Sequence, residues 1–381
     1  MVKIAIIGWY GTETIGDRAI LAGILSILNK AYGAYDVKLG SIYPFFTERT
    51  LLEDLGFYRK CANNGIGELY LFDSQNSEVL DAVIKWCDIL VMGGGPLMGM
   101  WSLYMIEYAF AKAKRLRKHT LVLGCGVGPM IAKRYERSLI HIIGKADITI
   151  FRDEISVREY RRIAGKHSKE VLSSIDPAVF AVQRYKSLHA ISEKKKDMNI
   201  VACVRDFPME YRINDEINGK EINEKVFQIL MDRKVKSGKR LLFLPMHYFT
   251  IGGDDRRWMN KLKYRIDDED VVVQNTPLSL EGTLQILAES SECVGMRFHS
   301  IVLQTILNGN NIVLNYTHPD KGKIVGFLKQ IGAYESYQES FINLQVDEEV
   351  SHLCPATSFK VEDGLISEFE NVYLTALLNL F

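Results

Sequence analysis

The feature that most narrows what this chain can fold into is a rhythm. Short apolar runs, each closed by glycine or a polar residue, alternate with segments of helical periodicity. A strand apolar along its whole length and followed by a helix belongs in a parallel sheet, because the crossover helix lands on the sheet and covers it. "VKIAIIG" leads through a glycine turn into the helix "DRAILAGILSILNK". "VKLGSIYP", "DILVMGGG", "HTLVLGCGVGP" and "ADITIFRD" repeat the strand pattern, with helices such as "WSLYMIEYAFAKAKRLRK" between them. A charged, structure-poor stretch from Ser192 to Asn199 breaks the rhythm and reads as a linker. It then restarts with "IVACVRD", "RLLFLPMH", "DVVVQNTP", "ECVGMRFHS" and "NIVLNY", again separated by helical segments.

The expected architecture is α/β in two domains, residues 1–190 and 198–350, with a helix over residues 360–381 packing back on them. That helix places Leu365, Phe369, Val372, Tyr373, Ala376, Leu377 and Leu380 on one face. A length of 381 residues suits two cores of this kind. A hydrophobic content of 47% is enough to bury them and argues against disorder. Formal net charge is zero, so nothing in bulk electrostatics favours nucleic acid, and any anion site must be local. The six cysteines form no CxxC and mostly sit in apolar runs, which reads as buried free thiols in a reducing compartment. The first residues enter a strand with no signal-peptide pattern, and no apolar run approaches the roughly 18 residues of a membrane span. A cytoplasmic location is expected.

Ligands of open α/β sheets collect at the carboxyl ends of strands, and the informative residues cluster there. "GWYGTETIGD" places Gly8, Gly11 and Gly16 before Asp17, "GGGPLMG" holds Gly94 and Gly95, and "GCGVGP" holds Gly126 and Gly128. None matches GxGxxG opening a helix, so a dinucleotide site is disfavoured, yet three glycine loops at one kind of edge favour a site over mere tight turns. Arg152 in "TIFRDEIS" and Arg205 in "VACVRDFP" also stand where strands end, each followed by an aspartate whose simple salt bridge is the plain alternative. "LPMHYFTIGGDDRRW" adds His247, Asp254 and Asp255, ligand types without a metal-site spacing; Asp255 reads as a helix cap, His247 as polar wall, and no metal is assigned.

"GMRFHS" breaks a local rule. A helix start carries positive potential and favours acids, but Arg297 and His299 stand at this one, with Ser300 behind them. A bound anion would reverse that penalty and leave His299 poised for proton transfer near neutral pH. With Arg152 and Arg205, Arg297 supplies guanidinium forks suited to phosphate and carboxylate. The ligand these residues imply is small and multiply anionic.

In order along the chain, "GWYGTETIGDRAIL", "GGGPLMG", "GCGVGP", "FRDEIS", "DPAVF", "VACVRD", "LPMH" followed by "DD", "GMRFHSIVLQ" and "NY" to "KIVGFLKQIG" resemble the polysaccharide pyruvyl transferase family of bacterial envelope and capsule biosynthesis. "GMRFHS" is the most specific element. The resemblance implies a fold similar to GT-B glycosyltransferases, two Rossmann-like domains facing across a cleft, the first on the acceptor side and the second on the donor side. It implies transfer of pyruvate from phosphoenolpyruvate to two hydroxyls of one sugar, forming a cyclic ketal and releasing phosphate. The implied acceptor is a saccharide, often lipid-linked, at the inner membrane face, which allows peripheral membrane contact. No cofactor is implied beyond the donor substrate. A need for divalent metal, the oligomeric state and the acceptor sugar stay open.

By the same resemblance, the Arg-x-His element carries donor binding to Arg297 and acid/base work to His299. The arginine of "RDxxS" matches Arg152, a second catalytic candidate, and the family's late lysine matches Lys323 rather than Lys321. Arg205, His247, Ser300, Gly11, Asp17, Gly94, Gly95, Gly126 and Gly128 complete the candidate substrate-binding set. One loop departs from the family: Thr14 or Ile15 replaces a frequent asparagine, and Arg18 a glutamate. The nearest rival is a GT-B glycosyltransferase using a nucleotide sugar, which would need a base pocket and a ribose-binding carboxylate in the second domain. A saccharide-binding protein without turnover is the non-enzymatic alternative.

Overall fold

The computed structural model describes residues 1–189, 199–249, 253–347 and 356–380. The linker candidate lies outside them except for Asn199, and so does Cys354. The chain divides into two units: Met1–Ala181 with Gly364–Phe381, and Val182–Asp363. The boundary falls between Ala181 and Val182, inside a single helix, where no change of composition marks it.

The first unit is built on strands β1 (Val2–Ile7), β2 (Tyr35–Ser41), β3 (Ile66–Asp73), β4 (Ile89–Gly93), β5 (Pro96–Leu97), β6 (His119–Val127), β7 (Ile148–Phe151) and β8 (Leu172–Ser173). They run parallel in the order β3-β2-β1-β4-β6-β7-β8, with β5 beside β6. Helices α1 (Ile15–Tyr32), α2 (Pro44–Cys61), α3 (Ser77–Trp86), α4 (Leu103–Arg115), α5 (Lys133–Lys145), α6 (Glu154–Ala164) and α7 (Ala178–Leu188) make the crossovers. The continuous apolar runs read as they should. Ile4, Ala5, Ile6 and Ile7 of β1, and Ile89 to Met92 of β4, are all fully buried, as strands covered on both faces must be. Strand order reverses between β1 and β4, so the loops after these two strands flank a topological switch point.

The second unit repeats the plan with β9 (Asn199–Cys203), β10 (Arg240–Phe243), β11 (Val271–Val273), β12 (Glu292–Gly295), β13 (Asn311–Asn315) and β14 (Phe341–Asn343). The order is β11-β10-β9-β12-β13-β14, all parallel, with its reversal between β9 and β12. Its helices are α8 (Gly219–Ser237), α9 (Asp255–Ile266), α10 (Leu280–Glu289), α11 (Phe298–Leu307) and α12 (Lys323–Gln330). A buried pair ties α8 to β12, with Arg233 Nε and Nη2 at 2.8 and 2.6 Å from the Glu292 carboxylate.

The last helix, α13 (Leu365–Leu378), belongs to the first unit. Its expected apolar face turns inward. Tyr373 and Leu377 are fully buried. Tyr373 donates to the Ile175 carbonyl at 2.7 Å, and Lys30 of α1 pairs with Glu370 at 2.6 Å. All five described cysteines are free and buried. Burial pushes the thiols of Cys87, Cys125 and Cys293 up to about 12, so none is a ready nucleophile.

Helix α1 passes close to the chain before α7. A Cβ on Gly23 would stand 1.8 Å from the Pro177 carbonyl oxygen. Two backbones cannot separate cheaply inside a packed core. Gly23→Ala is therefore expected to destabilise the first unit by about 1–3 kcal/mol, read as a lower urea midpoint by circular dichroism. An unchanged midpoint would show that this contact relaxes freely.

Candidate functional site

In the second unit, four adjacent strands deliver the candidate residues to one edge. Arg205 follows β9, His247 follows β10, Arg297 follows β12 and Tyr316 follows β13. Arg205 and Arg297 thus flank the switch point, and the Met296 and Arg297 amides both donate to the Cys203 carbonyl, at 3.1 and 3.3 Å. Lys323 opens α12 nearby. Its Nζ lies 3.3 Å from Tyr211 Oη, and it stands 5.0 to 5.7 Å over the rings of Tyr211, Phe298 and Tyr316. Lys321 is exposed instead.

The helix starts differ in a telling way. In this unit Asn218, Asp254 and Ser279 cap α8, α9 and α10 with side-chain hydrogen bonds. The two helices that begin at the cluster, α11 and α12, have Arg297 and Gly322 at the N-cap and no such bond. Backbone N–H groups and cations meet at both positive ends, where an anion is the natural complement. Helix α11 starts at Phe298, so His299 is its second residue.

Asp255 organises this edge. Asp254, not Asp255, caps α9; the Asp255 carboxylate does other work. Its Oδ2 accepts the Met246 and His247 amides at 3.2 and 3.0 Å and Arg297 Nε at 3.1 Å, while Oδ1 accepts Arg297 Nη2 at 2.5 Å. The fork fixes the guanidinium, and Arg297 Nη1 makes no hydrogen bond among the described residues. Arg205 is barely held. Its Nε reaches the Asp206 carbonyl at 3.3 Å, whereas the Asp206 carboxylate accepts from Asn223, so the simple Arg205–Asp206 salt bridge does not form.

The electrostatics register the surplus. Burial and then the Arg297 cation pull Arg205 below its ordinary value, and Tyr316, Asp255 and Glu210 do not offset them. Burial also opposes the Arg297 charge, but Asp255 more than restores it. Tyr316 is buried, which alone would raise its phenol; Lys323, then Arg205 and Arg297, bring it below the ordinary value. A buried tyrosine with a lowered pKa reports uncompensated positive charge around it. Sequence reasoning left Tyr316 out of the site, although it is the tyrosine of the quoted "NY", and it undervalued Asp255.

Other expected residues have structural partners. Ser300 is fully buried and donates to the Arg297 carbonyl at 2.6 Å, closing the first turn of α11 rather than offering its proton to a ligand. His247 is buried, and its backbone serves Asp255. In the first unit Arg152 is 5% exposed, with Nη1 3.2 Å from Asp176 and Nε 3.6 Å from Asp153. That is the plain salt bridge, and it gives Arg152 a structural place in the interior.

The first unit's glycine loops do share one edge, after adjacent strands, but its own side chains fill them. A Cβ on Gly95 would strike the Trp9 ring, one on Gly94 the Tyr10 ring, and one on Gly126 the Arg152 guanidinium. Gly11 and Gly128 have positive φ, of 95° and 82°. Asp17 accepts from Thr12 and Thr14 hydroxyls at 3.2 and 2.5 Å, and Thr14 caps α1. Arg18, the departure from the family pattern, is buried on Asp54 at 2.6 Å and Glu53 at 3.3 Å. The cavity among Trp9, Tyr10, Asp17 and Arg18 holds about 20 Å³, room for one water. Among the described residues no cluster of His, Cys, Asp and Glu could hold a metal ion.

Fold and site define a GT-B-like protein of two Rossmann-like units, with an anion-seeking strand edge in the second. UDP-GlcNAc 2-epimerases share the fold. The enzyme from Methanocaldococcus jannaschii is 12% identical, with 99% of this chain and 93% of that one covered at a TM-score of 0.56. That from Neisseria meningitidis is 9% identical, with both chains fully covered at 0.56. The polysaccharide pyruvyl transferase family matches residues 15–318, and the chain belongs to it. The amylovoran biosynthesis protein AmsJ of Erwinia amylovora is 21% identical over 375 residues, covering 88% of this chain and 87% of that protein.

Tyr316 offers a direct readout. Its neighbours favour tyrosinate, so it should ionise below the ordinary value of about 10. An anion that neutralises those cations restores the pKa upward, so by linkage anion affinity falls as pH rises through the depressed pKa. Ultraviolet titration of wild type against Tyr316→Phe, with and without inorganic phosphate, is expected to show both effects. An ionisation at or above the ordinary value would remove the inferred surplus of charge.

Proposed function

We propose that the second unit's cluster binds phosphoenolpyruvate and that the chain transfers its pyruvyl group to two hydroxyls of a saccharide as a ketal. The observation that carries this reading is the surplus of cations at the switch point. Arg205, Arg297 and Lys323 converge where, among the described residues, only Asp255 is a buried carboxylate, beside two helix starts without side-chain caps. A donor with a phosphate and a carboxylate supplies the missing negative charge, and Arg297 Nη1 and the Arg205 guanidinium are the donors to reach it.

The chemistry balances with one proton shuttle. Protonation of the enol methylene turns it into a methyl group and makes C2 electrophilic. One sugar hydroxyl adds to C2 and gives up its proton. The second hydroxyl then forms its C–O bond as the C2–O bond to phosphate breaks, and its proton leaves with phosphate. His299, at the start of α11, takes the acid/base role in this reading, while the cations stabilise the departing phosphate. AmsJ, named for amylovoran biosynthesis, supports a saccharide acceptor. The acceptor falls to the first unit by the family resemblance alone, since that unit's own side chains fill its glycine loops.

A nucleotide-sugar reading has one observation in its favour: the Neisseria meningitidis epimerase was solved with UDP-GlcNAc. The two separate by melting temperature. Phosphoenolpyruvate is expected to raise it and uridine diphosphate to leave it in place; the reverse result would favour the nucleotide sugar. His299→Ala is expected to keep its melting temperature and lose about 10²–10⁴-fold in phosphate release with a saccharide acceptor panel. Wild-type turnover in that variant would end the assignment of His299.

A further inference from the structure

The first unit carries an exposed apolar tip that the proposed chemistry does not use. Trp101 is 54% exposed and Ile131 73%, with Met100 and Tyr104 beside them. They come from two loops, one before α4 and one before α5, that are locked together. The Gly99 amide donates to the Pro129 carbonyl at 2.9 Å, and a Cβ on Gly99 would stand 2.9 Å from the Ile131 nitrogen. Behind them the Tyr104 and Tyr135 rings stack at 5.5 Å, joining the first turns of the two helices. Indole, phenol, thioether and isoleucine side chains therefore form one continuous surface rather than scattered exposed residues.

The fully exposed charge at this tip is positive. The chain there, residues 99–107 and 129–137, carries Lys133, Arg134 and Arg137 with two half-buried acids, Glu107 and Glu136. Glu107 already accepts from Ser138 at 2.6 Å and bonds His141 at 2.6 Å. Lys133, Arg134 and Arg137 are exposed on the first turns of α5, against the dipole, and no side chain caps that helix. A two-fold contact with a second copy would set these cations against themselves. A bilayer with anionic headgroups accepts both halves of the pattern: the aromatic and aliphatic tip enters the interface, and the cations meet the phosphates.

We infer that the tip formed by Met100, Trp101, Tyr104 and Ile131, with Lys133, Arg134 and Arg137 at its rim, docks the protein on an anionic membrane surface. This does not depend on the donor assigned above, because vesicle partition needs no turnover. The test is co-sedimentation of the full chain with phosphatidylglycerol–phosphatidylcholine vesicles, and with phosphatidylcholine alone, at low and high salt. Wild type is expected to bind the anionic vesicles and to be released by salt. The Trp101→Ser, Ile131→Ser double variant should bind about tenfold more weakly at unchanged melting temperature. Charge removal by Lys133→Gln, Arg134→Gln and Arg137→Gln should abolish the preference for anionic lipid, since each cation is worth roughly fivefold at such a surface. Absence of binding in wild type, or equal binding by both variants, would overturn the inference. So would a wild-type dimer in sedimentation that the same substitutions dissolve.

Discussion

One carboxylate holds the second unit's edge in order. Asp255 joins three pieces of chain: the turn after β10, the start of α9 a few residues on, and the N-cap of α11, 42 positions later. Two backbone amides fix the carboxylate, and the carboxylate in turn fixes Arg297. Breaking such a pair leaves an uncompensated charge and is far more costly than never having built it. The arrangement also explains how a cation can stand at a helix start. Asp255 satisfies one side of the guanidinium and leaves the other side for something else.

That division separates this arginine from Arg152. Both follow a parallel strand, and in sequence each looks like the other. Arg152 lies among Asp153 and Asp176 and closes the space that Gly126 leaves, so its charge is matched. Arg297 shares a single buried partner with an edge that also holds Arg205 and Lys323. The depressed Tyr316 phenol records the resulting imbalance. Matched charge builds a core, and unmatched charge leaves an edge that favours an anion.

Much of the fold was legible because it depends on local patterning. Continuous apolar runs such as Ile4 to Ile7 required two covered faces, and strict α/β alternation required parallel strands. The cluster was partly legible because Arg297 and His299 visibly violate helix-start electrostatics. What stayed hidden depends on long-range pairing. Nothing near Asp255 in the sequence announces that it faces Arg297, 42 positions later. Nor does a glycine loop disclose that Trp9 and Tyr10 fill it. The division between units was invisible for a similar reason, since α7 runs through it without interruption.

The placement of α13 has a consequence for biosynthesis. The chain leaves its first unit at Ala181, completes the second, and returns only at Gly364. Tyr373, whose hydroxyl reaches the Ile175 carbonyl at 2.7 Å, is therefore made nearly two hundred positions after the backbone it covers. On a ribosome working from the N-terminus, the opening half must wait, with the surface beside Ile175 uncovered, until the final turns emerge. The halves are accordingly not linear cassettes: no single cut separates them, and the first becomes whole only once α13 has been made.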